Sequence, residues 1–85
     1  MNILNLVKLK LGITTNKRDD YLEAIIKGIQ GEIKNIQGIN LDVNNAEDAM
    51  FIVDYACYRY ESKGEYEDMP RHLQWRLHNL AISKG

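Results

Sequence analysis

The sequence predicts an all-α fold, a small four-helix bundle made of a short leader helix, two long helices and a closing helix. Three observations carry this expectation. Apolar residues recur at intervals of three and four, and in the isoleucine-rich segment never at two, which is helical and not strand periodicity. Gly12, Gly38 and Pro70 fall where helices stop or start. At 85 residues, 45% hydrophobic and 27% charged with one proline, the chain has the composition of a folded domain and the length for only one, residues 1–85.

The leader spans residues 3–11. Ile3, Leu4, Val7 and Leu11 share its apolar face, Lys8 and Lys10 point away, and Gly12 ends it. Thr14, Thr15 and Asn16 offer side-chain acceptors to the next helix, with Asp19 and Asp20 in a first turn where the helix dipole favours anions. That second helix runs over residues 17–37. Leu22, Ile25, Ile26, Ile29, Ile33 and Ile36 fall within an arc of about 100°, the width of a single buried face. Five isoleucines are weak helix formers because β-branching restricts χ1, but burial of such a side chain is worth roughly 1.5–3 kcal/mol and outweighs the loss. Gly28 and Gly31 lie off that arc. They are either tolerated weak points, about 1 kcal/mol each relative to Ala, or places where a neighbouring backbone comes close. Gly38 stops the helix, residues 39–45 connect with Leu41 and Val43 tucked inward, and Asn44 followed by Glu47 forms a start resembling a capping box.

The third helix, residues 46–64, is the one around which the others are arranged. By helical spacing Ile52, Ala56, Ala49, Tyr60, Val53, Ala46, Cys57 and Met50 cover an arc of roughly 160°. Glu61, Asp54 and Glu47 then form an acidic seam, and Phe51, Tyr55 and Tyr58 form a second, aromatic stripe. A helix with two apolar faces packs against two things. Its own neighbours supply the first, and the aromatic stripe is left as a candidate contact for another protein. After Tyr60 the pattern dissolves into a charged turn over residues 61–69, and Pro70 opens the last helix, where its missing N–H is harmless. Leu73, Leu77, Leu80 and Ala81 give that helix a core face. Arg71, Trp75, His78 and Ile82 cluster on its reverse, and Trp with Arg away from a core stripe is the composition of an interface centre. The alternative is an indole that only covers a neighbouring loop.

Several functions are disfavoured. Eleven Lys and Arg against twelve Asp and Glu, a net charge of -1, form no basic stripe for phosphate neutralisation. The single Cys57 excludes an intramolecular disulfide and reads as a core thiol. No apolar run reaches the ~18 residues of a membrane span, and MNILNLVKLK lacks the order of a signal peptide, so the expectation is a protein made and used in solution. His72 and His78 are six residues apart, about 240° round a helix, and cannot share a metal ion. With no phosphate loop and no nucleophile context, and with Glu47, Asp54 and Glu61 spaced by sevens as a solvated or interfacial seam, the chain is expected to be no enzyme and to use no cofactor or metal.

The order of parts resembles the small head-tail connector proteins of tailed phages. The leader VKLKLGI, the acidic start NKRDDYLEAIIKGIQGEIKNIQG, a loop with NLD, the long AEDAMFIVDYACYRYESKGE and the closing MPRHLQWRLHNLAI carry the resemblance over nearly the whole chain. Within it, residues 6–13, the pair Asp19 and Asp20, the segment ending in Gly38, the aromatic-then-charged run from Tyr58 to Glu61, and Pro70 match the family pattern. The resemblance implies a structural virion protein at the head-tail interface, present in the host cytoplasm during assembly. It implies a homo-oligomeric ring beneath the portal that extends the DNA channel, lets DNA pass without sequence-specific binding, and receives a neck or tail completion protein. Ring contacts are head to tail, so each subunit needs two different patches. The stripe Phe51, Tyr55, Tyr58 and the face Arg71, Trp75, His78, Ile82 are the candidates.

Two other readings compete. A small helical adaptor or regulator, such as an antitoxin-like or anti-repressor protein, would form a one-to-one complex through the aromatic stripe. A helix-turn-helix protein would read DNA with Arg71, Gln74, Arg76 and His78, against which the missing basic surface argues.

Overall fold

The computed structural model describes residues 2–62 and 69–84, which form four α-helices and no strand. Helix α1 (Ile3–Leu11) begins at Asn2, whose side chain accepts the Asn5 N–H at 3.0 Å. It ends at Gly12, whose φ of 75° lets its own N–H bond Leu9 and the Ile13 N–H bond Lys8 O at 2.9 Å, closing the orphan carbonyls of the last turn.

Helix α2 (Asp19–Glu32) starts two residues later than the periodicity suggests, and without a side-chain cap. The expected acceptor Asn16 is occupied elsewhere. Its Oδ1 accepts from Lys8 Nζ at 3.0 Å, and the same ammonium pairs with Asp19 at 2.8 Å, so Lys8 braces the turn instead of pointing away. Beyond Glu32 the backbone widens into a π-helical turn (Ile33–Gln37) closed by Gly38 at φ 69°. A Cβ at Gly28 or Gly31 would meet no atom within 4 Å, so no neighbouring backbone approaches them and both are simply weak points of the helix.

Helix α3 (Ala46–Glu61) is capped by Asn45, not Asn44. The Asn45 side chain accepts from the N–H groups of Glu47 and Asp48. Asp48, buried to 1% exposure, accepts the Asp42 N–H at 2.8 Å and so ties the preceding loop to the helix start. Leu41 and Val43 pack against the core from that loop, as expected. Helix α4 (Arg71–Lys84) follows Pro70, whose carbonyl accepts from Leu73 and Gln74 at 3.0 Å. The expected end of the third helix at Gly64 and most of the charged turn lie outside the described residues, as does the side chain of Ile36.

α3 sits at the centre. Its Cys57 approaches Val7 O at 4.0 Å and its Asp54 pairs with Lys10, so α1 runs antiparallel along it. α2 lies across its last turns: Arg59 pairs with Glu32 at one end of α2, while the Tyr60 hydroxyl accepts from Arg18 at the other. Among the described elements α4 packs on α3 alone, through the buried Leu73, Leu77 and Leu80 of the expected core face.

This surround corrects the reading of α3 as a helix with one open apolar face. Phe51 is 0% exposed and Tyr55 4%, both inside the core, and Tyr58 is half-buried. The Arg76 guanidinium lies 5.8 Å from the centre of the Phe51 ring, and that of Arg59 lies 5.0 Å from the Tyr55 ring, so α4 and the α3 terminus close over the stripe. Tyr55 also lies 6.1 Å from Phe51 and stacks at 6.4 Å on Tyr58. Two of the three aromatic residues singled out as an unclaimed face are therefore claimed within the subunit. Conversely, Ala46 and Met50, placed on the core arc, are exposed, and Tyr60 is half-buried.

Candidate functional site

The spacing of Arg71, Trp75, His78 and Ile82, four, three and four residues apart, puts them on one stripe of α4 opposite Leu73, Leu77 and Leu80. All four are exposed, Trp75 at 62% and Ile82 at 66%. The indole meets the His78 ring edge-on, with centroids 6.1 Å apart, and with Arg71 and Gln74 the two rings line an open depression of about 450 Å³. Upstream, Gln74 anchors the first turn by donating to Met69 O at 2.6 Å. This is the face the sequence singled out, and the fold brings its members together. It does not bring them to the Phe51 and Tyr55 side chains, which are buried on α3.

A second feature had no clear signature in the sequence. Asp54, read as part of a solvated seam, accepts from Lys10 of α1 and Arg76 of α4 and joins three helices through one carboxylate. Burial pushes its carboxyl up, but the hydrogen bonds from Lys10 and Arg76 outweigh this and hold it below the ordinary carboxylate range. The Asp54 hydrogen bond raises Lys10 in turn, over the opposing effect of its partial burial. Arg59 is likewise raised: burial opposes its charge, and the hydrogen bond to Glu32 together with Tyr55 more than restores it. Lys10 and Arg76 carried no periodic signal because they come from elements far apart in sequence.

Cys57 is buried, and loss of solvation is the main reason its thiol is pushed up to about 11, so it packs as an inert apolar group. Among the described residues no three His, Cys, Asp or Glu side chains are placed to hold a metal ion. No described helix is long and apolar enough to cross a membrane.

Fold and surface together define a small all-α protein that carries an exposed, Trp-centred face on its last helix. The phage gp6-like head-tail connector protein family matches residues 1–76, and the chain belongs to that family of structural phage proteins. The match spans α1 to α3 and stops within α4, just past Trp75. Searches of curated proteins and of solved structures find no match.

Proposed function

We propose that this chain, acting as one domain, is a connector subunit that assembles as a homo-oligomeric ring on the phage portal. The ring extends the DNA channel and joins the head to a neck or tail completion protein. It is built in the host cytoplasm and retained at the head-tail interface of the virion. Family membership supports the adaptor role, and the exposed Arg71-Trp75-His78-Ile82 face supports assembly. Trp and Arg are among the residue types most enriched at the energetic centres of protein contacts, and here they stand exposed on one helix face. Of the aromatic stripe on α3, only Tyr58 stays accessible enough to join a contact. A net charge of -1 suits a channel through which DNA slides without being held.

The test is electron microscopy of portal-bearing heads incubated with the purified chain. Ring density of uniform stoichiometry at the portal vertex is the expected result. A vertex that stays bare, with the protein instead in a one-to-one complex with some other partner, would replace the connector with an adaptor.

A further inference from the structure

An exposed Trp at a head-to-tail contact needs a receptor on the next subunit. Between the N-terminal half of α3 and the C-terminal half of α4 lies a cleft of about 410 Å³ lined by Ala46, Glu47, Met50, Arg76, Asn79 and Leu80. Its apolar part is Ala46, Leu80 and the Met50 side chain, which is 42% exposed although the helical wheel places it toward the core. Its charges are uneven. Arg76 is turned to Asp54, whereas Glu47 has no ion-pair partner among the described residues. On the Trp75 stripe, Arg71 is the corresponding cation without an ion-pair partner among the described residues.

We propose that this cleft receives Trp75 of a second copy of the chain, with Arg71 of that copy set against Glu47. The inference rests on the connector reading and assigns the two halves of its subunit contact. The chemistry matches on three counts. The Met50 thioether and the Ala46 and Leu80 side chains form an apolar seat for an indole, and sulfur packs favourably on aromatic rings. The Asn79 side-chain carbonyl is an acceptor for the indole N–H, which must find a partner when buried. Charge is complementary between Arg71 and Glu47. On α4 the cleft residues Asn79, Arg76 and Leu80 lie about 40°, 100° and 140° round the helix from Trp75, so the cleft adjoins the stripe, and Trp75 is not among its lining residues. A subunit therefore presents both halves without filling its own cleft, as a heterologous contact requires.

The experiment measures ring occupancy at the portal vertex for purified variants whose circular dichroism and melting match the wild type. Met50→Glu places a charge in the seat, and the protein concentration needed for half occupancy should rise roughly thirtyfold, the loss expected of a contact centre. Glu47→Arg and Arg71→Glu should each weaken assembly, and the double variant E47R/R71E should recover it. Rings of the Met50→Glu variant that form at the wild-type concentration, or a double variant no better than its parents, would overturn the cleft assignment and leave the connector reading standing. A wild-type chain that never decorates the vertex would overturn both.

Discussion

Asp54 and Asp48 are carboxylates of one helix with different tasks. Asp54 is only partly exposed, at 20%, but its partners reach solvent, Lys10 at 50% and Arg76 at 37%, so the bridge is weaker than a fully enclosed one. Asp54→Asn keeps the shape and removes the charge, and we expect it to lower unfolding stability by about 1–2 kcal/mol at neutral pH in urea titrations. The pH dependence follows from the direction of the shift. The folded carboxyl lies below the ordinary 3.8, so the unfolded chain takes up the proton first on acidification. The contribution is complete above about that ordinary value and is lost as pH falls through the lower folded one. The gap between wild type and Asp54→Asn should thus be constant from pH 7 to 5 and shrink below pH 4; a gap that widens on acidification would contradict the assignment. Asp48 works through a hydrogen bond. It is buried and accepts the Asp42 N–H, so Asp48→Ala leaves that donor without this acceptor and should cost about 1–3 kcal/mol. Asp48→Asn retains an acceptor oxygen and should lose less, a difference that equilibrium unfolding of the two variants resolves.

Helix order and the buried faces of α1, α2 and α4 were legible in sequence because each packs through a single stripe, and a stripe is what periodicity reports. α3 was legible only in part. A wheel drawn for one helix records which residues are apolar, but not how many neighbours surround it. With α1, α2 and α4 all packed on α3, Phe51 and Tyr55 face a partner within the chain. The same limit hid the Lys10-Asp54-Arg76 junction and misplaced the cap by one residue, since Asn44 and Asn45 are equally good caps until the loop geometry chooses. The Trp75 face was legible because, among the described elements, α4 has one neighbour and hence a side that its periodicity leaves free. Gly28 shows how the structure decides between two readings that the sequence leaves open. It is exposed within α2 with nothing near its missing Cβ, so Gly28→Ala should raise stability by about 0.5–1 kcal/mol through helix propensity and a less flexible unfolded chain. A melting temperature that falls for the dilute chain would contradict the open space at Gly28, whereas one that falls only in assembled rings would place another subunit's backbone there.

Among the described residues, four of the chain's eleven Lys and Arg side chains hold helices together through ion pairs. Lys8 pairs with Asp19, Lys10 and Arg76 with Asp54, and Arg59 with Glu32, so four cations are neutralised inside the subunit. A DNA-reading protein needs the opposite, cations released from internal partners and gathered on one face, since affinity rises with the number of phosphates neutralised. The last helix, which a helix-turn-helix reading would place in the major groove, has Arg76 turned inward to Asp54 and Trp75 outward. The isolated chain should therefore bind a labelled duplex more weakly than the ~10⁻⁴–10⁻⁶ M of ordinary non-specific DNA binders at physiological salt. Fluorescence anisotropy from 50 to 200 mM salt should show almost no salt dependence, because few counterions are displaced when few phosphates are met. A log-log slope of about -3 or steeper would demonstrate several phosphate contacts and favour the DNA-binding alternative over a channel that lets DNA through. A flat response with ring density on portals would assign the near-neutral surface to passage, with recognition directed toward protein.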